Sequence, residues 1–185
     1  MEKLAAVMLG DGFEPVEALA PVDALRRGGV RVRTVSVMDG LQVTSAQGVT
    51  MHADDVVGDV DLLGFDLLVV PGGSGGVDNL AKCATLADAL ERFMAEGKPV
   101  AAICAGPMIL ADLGLLEGRK ATCYPGCEEG FPAGAYQDVR GVVVDSNLVT
   151  ASGPGQALDF GMAALRVLAG DAAADRVAAD MLIAG

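Results

Sequence analysis

The fold this sequence predicts is an α/β sandwich around a mostly parallel sheet, and three observations predict it. Short apolar runs rich in β-branched residues alternate with longer segments of helical periodicity. The runs lack polar alternation, as strands covered on both faces do. Unusual residues follow several of the runs, at the strand ends where ligands sit in open α/β sheets.

The elements follow in order. Lys3 to Leu9 reads as the first strand. Glu14-Pro15 opens a helix with proline in its favoured first turn, and Gly28-Gly29 closes it behind the cationic pair Arg26-Arg27, which suits the negative end of the helix dipole. Val30 to Val37 is the second strand. Leu41 to His52 breaks the rhythm, and its alternation around Gln47-Gly48 predicts a β-hairpin. Leu67 to Val70 is a strand, followed by a glycine run from Gly72 to Gly76 in which no helix of normal length is expected to start cleanly. Ala84 to Glu96 is helical, with Leu86, Leu90, Phe93 and Met94 marking its buried stripe. The strand Val100 to Ile103 leads into a helix from about Ala105 to Leu113. Tyr124 to Gln137 is irregular and long enough for a functional loop. A turn at Ser146-Asn147 precedes the strand Leu148 to Ala151, and helices from Gly155 to Leu168 and from about Ala172 to Ile183 complete the chain. Right-handed crossovers would place these helices on both faces of the sheet.

At 185 residues the chain is read as one domain, 1–185, without linker or repeat. Its 13 Lys+Arg against 25 Asp+Glu give a net charge of −12, which repels phosphate backbones. Two Tyr, five Phe and no Trp leave few rings for stacking bases, so nucleic acid is not expected as a partner. His52 is the only histidine, which argues against a histidine-rich metal site or a serine triad. No apolar run approaches the roughly 20 residues of a spanning helix, and no secretory leader is recognised at the N-terminus. No membrane association and a cytoplasmic location are therefore expected. Four cysteines are too sparse for a disulfide scaffold, and Cys123 and Cys127 lack the second pair a zinc knuckle needs. No metal site is expected.

Chemistry is sought at the strand ends. Cys104 falls at an abrupt strand-to-helix change between Ala102 and Ala105-Gly106, resembling a nucleophile elbow whose strained backbone demands small neighbours. A helix N-terminus beyond it is expected to favour the thiolate. The alternative is a buried cysteine filling an apolar strand end. Glu17 sits three residues into the first helix, where a carboxylate can simply satisfy free N–H groups, and Glu14 competes for that role. The functional alternative places one of these carboxyls near Cys104, partly protonated and able to shuttle a proton. The Gly72 to Gly76 run departs from the dinucleotide spacing, leaving an oxyanion-type backbone donor or a plain tight turn. His52, in the hairpin, is read as packing or interface.

Together, Leu9-Gly10-Asp11-Gly12-Phe13-Glu14-Pro15-Val16-Glu17, Pro21 to Gly29, Val70-Pro71-Gly72-Gly73, Ala101 to Pro107 and Gly153-Pro154-Gly155 resemble the ThiJ/PfpI superfamily, in particular its branch of Parkinson-disease-associated, deglycase-like proteins. The resemblance spans essentially the whole chain. It implies a three-layer flavodoxin-like sandwich and a homodimer, with the first helix and the hairpin near Met51-His52 against a second subunit. It further implies a nucleophile at Cys104, a protonated glutamate at Glu17, and backbone N–H donors at Gly73 and Ala105. Gly72, Tyr124, Ser152, Gly153 and Pro154 would line the substrate site, with Glu14 and Asp11 in support. The activity implied is that of a glyoxalase III or deglycase acting on methylglyoxal-like 2-oxoaldehydes or their glycated adducts, without metal or organic cofactor. The alternative implied is an oxidative-stress sensor or protective protein whose cysteine is oxidised to sulfinate.

The chain departs from the family pattern where many members read Thr-x-His-Pro. Here the segment is Thr122-Cys123-Tyr124-Pro125, and tyrosine is a poor base at neutral pH but a serviceable donor. The arginines that some relatives carry before the Gly-Pro-Gly turn and in the hairpin are Ser152 and about Ala46-Gln47, so the sequence gives no support for an anion site. Ala105 stands where the peptidase branch has histidine, which argues against peptidase activity. An amidotransferase-type His-x-Glu is also missing, because no histidine follows His52.

Overall fold

The computed structural model describes residues 2–183. Its central sheet has seven strands in the order β5-β2-β1-β6-β7-β9-β8, formed by β1 (Leu4–Leu9), β2 (Arg31–Ser36), β5 (Asp55–Val56), β6 (Leu67–Val70), β7 (Val100–Ile103), β8 (Val142–Asp145) and β9 (Leu148–Ala151). All neighbours are parallel except β8 and β9, which are antiparallel about the Ser146-Asn147 turn. The hairpin β3 (Gln42–Thr44) and β4 (Thr50–His52) forms a separate two-stranded sheet, as its alternation predicts.

Helices cover both faces, and successive residues of the buried strands serve them alternately. Ala5, Val7, Leu9, Val69, Ala101 and Ile103 point into a core shared with α1 (Pro15–Arg27), α5 (Ala157–Ala169) and α6 (Asp171–Asp180). Ala6, Met8, Leu68, Val70, Val100 and Ala102 point into the opposite core, against α2 (Ser74–Ala81), α3 (Ala84–Glu96) and α4 (Pro107–Asp112). Continuous apolar strands arise because each side chain faces one hydrophobic layer or the other. This is the three-layer flavodoxin-like arrangement. No helix among the described residues is long and apolar enough to cross a membrane.

Several expectations are corrected. A helix does begin inside the glycine run: α2 starts at Ser74 with Gly75 and Gly76 in its first turn. Packing overrides propensity there, because a Cβ on Gly76 would lie 2.7 Å from Phe13 Cα. The helix after Cys104 starts only at Pro107 and spans six residues. Helix α5 begins at Ala157, after a 3₁₀ turn over Pro154–Gln156, and α6 runs only to Asp180. Strands β5 and β8 were not anticipated. Arg33 pairs with Asp55 to hold the short edge strand β5.

The chain passes from β1 to β2 on one side while β6 pairs on the other, which puts a topological switch point at the carboxyl end of β1. Val7 pairs with Val69 and Val70 with Ala102, so the segments following β1, β6 and β7 emerge side by side.

Candidate active site

Cys104 turns the chain sharply out of β7 with φ = 62°, a left-handed conformation costing on the order of 1–2 kcal/mol for a non-glycine residue. Neighbouring backbone holds it there. Its N–H donates to the Ala151 carbonyl at 2.9 Å, and its own carbonyl accepts from Tyr124 N–H at 2.9 Å. Small neighbours are required, since a Cβ on Gly106 would stand 2.6 Å from the Val70 carbonyl oxygen.

Glu17 comes from the first turn of α1 and is fully buried. It does not cap its own helix. Its Oε2 accepts from Gly72 N–H at 2.8 Å, across to the segment after β6. Its Oε1 is buried without a well-formed hydrogen bond. Sulfur and carboxyl lie together against Gly72, where a Cβ would stand 2.5 Å from Glu17 Oε2, 2.6 Å from Cys104 Cβ and 3.1 Å from Cys104 Sγ. Gly72 is therefore glycine because these side chains occupy the space. Gly73 takes φ = 87°, and its N–H and that of Ala105 favour the ionised form of the Cys104 sulfur.

Burial pushes the Glu17 carboxyl up to about 7, against the opposing hydrogen bonds with Cys104 and Gly72 and with a small push from the Glu14 charge. Burial, then the Glu17 charge and its hydrogen bond, push the Cys104 thiol up to about 12, while the Ala105 and Gly73 N–H groups pull it down. The expectation of a helix-stabilised thiolate is thus corrected. The short α4 begins three residues beyond Cys104, and a buried carboxylate opposes a second negative charge. An ionised Glu17 therefore opposes ionisation of Cys104.

The supporting carboxylates are elsewhere engaged. Asp11 Oδ1 accepts from Thr44 N–H at 2.8 Å, and the Asp11 carbonyl accepts from Asn79 Nδ2 at 3.0 Å, so this residue anchors the hairpin and α2. Glu14 is half-buried at the N-cap of α1, its N–H donating to the Gly72 carbonyl at 2.9 Å, and its side chain reaches the site through its charge. His52 lies exposed in β4, opposite Gln42. All four cysteines are free thiols.

A second wall stands beside the elbow. Tyr124, Pro125, Arg140, Ser152, Gly153, Pro154, Gly155 and Gln156 line an open cleft of 360 Å³. Tyr124, Ser152, Gly153 and Pro154 come together here. Arg140 was missed. Strand β8 pairs Val142 with Ala151, and Gly141 and Ser152 exchange hydrogen bonds at 3.1 Å beyond it, which brings Arg140 alongside Gly153. The signal was the run Val142 to Val144 before a recognised turn.

Residues 3–167 match the DJ-1/PfpI family model. The chain belongs to the DJ-1/PfpI family. It is 36% identical over 183 residues to protein DJ-1 homolog A of Arabidopsis thaliana, covering 98% of this chain but 47% of that protein, so it spans about half of that relative's length. It is 34% identical over 185 residues to protein dj-1beta of Drosophila melanogaster, covering 100% of this chain and 99% of that one. A protein named as a deglycase in Pyrococcus abyssi is 35% identical over 150 residues, 80% of this chain and 89% of its own. Among solved DJ-1/PfpI structures, the oxidized DJ-1 of Toxoplasma gondii superposes with a TM-score of 0.94 at 35% identity, covering 99% of this chain and 100% of that one.

Proposed function

We propose that this DJ-1/PfpI protein is a cysteine-dependent enzyme of the glyoxalase III or deglycase type, acting on methylglyoxal-like 2-oxoaldehydes or their adducts. One observation carries the reading: a buried carboxyl with an oxygen lacking a well-formed hydrogen bond lies against a cysteine held in a strained elbow, beside two backbone N–H groups that favour its ionised form. The deglycase name of the Pyrococcus abyssi relative supports it.

In this mechanism Cys104 passes its proton to Glu17 as sulfur attacks the aldehyde carbon, forming a C–S bond and an alkoxide. Gly73 and Ala105 N–H groups hold the developing oxyanion, which is then protonated to a hemithioacetal. Glu17 removes the proton from the former aldehyde carbon and delivers it to the adjacent former ketone carbon, while the hydroxyl proton passes from the first oxygen to the second, giving a 2-hydroxy thioester. Water cleaves the thioester, releasing a 2-hydroxy acid and restoring the thiol. Every proton taken up by Glu17 is returned, and oxidation of the aldehyde carbon is matched by reduction of the ketone carbon, so the cycle needs no oxidant. With tyrosine at 124, Glu17 carries the proton traffic alone.

Methylglyoxal consumption without added glutathione tests the proposal, with Cys104→Ser and Glu17→Gln as controls. Wild-type turnover well above both variants is expected; equal rates would sink it. A second reading, a redox sensor at Cys104, draws on the structural relative described as oxidized. Mild peroxide should then add two oxygens at Cys104 first by intact mass, and even oxidation over all four cysteines contradicts it. We propose further that the protein is a homodimer, since Val16 and Leu19 of α1 and Val49 beside the hairpin are exposed apolar side chains. A monomeric mass by light scattering would refute this.

A further inference from the structure

Strands β1, β6, β7 and β9 are apolar at every position except Thr150, in the middle of β9. This side chain is fully buried, on the same face of the strand as Leu148, towards the core layer of α2, α3 and α4. Valine has nearly the same shape and would pack there with no polar group to satisfy. A polar residue that breaks so uniform a pattern points to a task beyond packing. Its hydrogen bond shows where the task lies: Thr150 Oγ1 accepts from Thr122 N–H at 2.9 Å.

Thr122 is also fully buried, and among the described residues the segment from Thr122 to Tyr124 belongs to no strand. Two residues beyond Thr122, Tyr124 N–H donates to the Cys104 carbonyl at 2.9 Å. Ala151, the neighbour of Thr150 in β9, accepts from Cys104 N–H at 2.9 Å. Consecutive residues of β9 therefore grip the elbow from two sides, Ala151 directly and Thr150 by way of the backbone from Thr122 to Tyr124. The half-exposed Tyr124 ring lies outside this tie, and its rotation leaves the tie intact. A left-handed cysteine keeps its conformation only where its surroundings over-determine it, and this is such a place.

We propose that Thr150 is a positioning residue of the site: its hydroxyl sets the segment from Thr122 to Tyr124 against β9, and the Tyr124 N–H then fixes the Cys104 carbonyl and with it the direction of the thiol. The proposal deepens the reading of Cys104 as a nucleophile and rests on it. Rate depends on such placement more than binding does, so the loss of the hydroxyl should appear in kcat. A hydroxyl that only satisfied a buried N–H would affect stability alone.

The test compares Thr150→Val, which removes the acceptor and keeps the shape, with Thr150→Ser, which keeps the acceptor. Thr34→Val is the structural control, since buried Thr34 in β2 likewise accepts from a loop N–H, that of Asp54, at 2.9 Å. In Thr150→Val, kcat for methylglyoxal is expected to fall roughly tenfold to a hundredfold with KM within about threefold, while Thr150→Ser and Thr34→Val keep kcat within about threefold of wild type. Should Thr150→Val not fold, Thr150→Ala takes its place, because its smaller side chain leaves room for a water on Thr122 N–H. A kcat unchanged by loss of the hydroxyl, or lowered as much by Thr34→Val, overturns the proposal. If wild type does not turn over methylglyoxal, the enzymatic reading fails separately, and alkylation of Cys104 by iodoacetamide at pH 8, followed by peptide mass, decides the role of Thr150. Burial holds this thiol up, and a loosened elbow admits water, so alkylation should quicken roughly tenfold in Thr150→Val and stay unchanged in Thr150→Ser and Thr34→Val. A rate unchanged in Thr150→Val, or raised equally in Thr34→Val, removes the role.

Discussion

The two walls around Cys104 are built in opposite ways. The first, made of Glu17, Gly72, Gly73 and the cysteine itself, is buried and packed so closely that one added methyl group collides with both functional side chains. The second, made of Tyr124, Arg140, Ser152 and Gly153, is open, and Tyr124 is 48% exposed. On the proposed mechanism the difference separates two tasks. Proton transfer between sulfur and carboxyl tolerates little misplacement and would sit where backbone contacts fix every atom. Recognition of a substrate's remote end tolerates more and would sit on side chains that can move.

Glu17→Gln is the strongest way to break this comparison. Losing the proton carrier should lower kcat/KM for methylglyoxal by roughly 10²–10⁴-fold, as steady-state kinetics at pH 8 would show. The same change should stabilise the protein at that pH. The carboxyl titrates near 4.5 when unfolded and about 7 when folded, so the folded state keeps a proton that the unfolded chain has lost. Stability from this group is full below pH 4.5 and falls as pH rises through about 7, a loss of about 3 kcal/mol by the linkage relation. Glutamine cannot ionise, so the stability of the variant relative to wild type should rise by about that amount between pH 4 and pH 8. Urea titrations at the two pH values measure it, and a constant difference would contradict burial as the cause of the shift.

Gly72→Ala attacks the same wall sterically. The new Cβ would stand 2.5 Å from Glu17 Oε2 and 2.6 Å from Cys104 Cβ, so the carboxyl must swing away from sulfur or the backbone must shift. Overpacking of this kind costs about 1–3 kcal/mol. A displacement near 1 Å at the reacting groups lowers kcat on the order of 10²-fold. Thermal melts and kinetics on one preparation report both effects, and full activity would show that the wall is less rigid than its packing implies.

Much of the first wall was legible in the sequence because it is local. A small-residue elbow after an apolar run marks Cys104, and proline followed two residues later by glutamate marks the start of α1. Elbow and carboxyl also belong to segments that follow parallel strands, whose ends a doubly wound sheet brings together. What sequence reading missed depends on pairing between distant segments. Arg140 reaches the cleft only through the antiparallel register of β8 with β9, and α2 starts among glycines only because Gly12 and Phe13 press against them. The ionisation of Cys104 was misread for the same reason. Its position depends on burial from several elements, which outweighs the dipole of a six-residue helix.

The smallest expected effect comes from making the alanine substitution in the second wall. A Cβ on Gly153 would meet only the edge of the Tyr124 ring, at 3.2 and 3.6 Å, and Gly153 has φ = 166°, an extended backbone open to any residue. The ring is half-exposed and can rotate towards solvent, so the contact relaxes without moving Cys104. Gly153→Ala should therefore stay within about 0.5 kcal/mol of wild type in stability and within roughly threefold in kcat/KM for methylglyoxal. Its effect should instead fall on larger adducts, through KM, because the methyl group narrows the cleft that receives their remote end. A loss in kcat as large as that of Gly72→Ala would mean that Tyr124 transmits its position to Cys104 through the N–H bond they share, and the two walls would have to be treated as one.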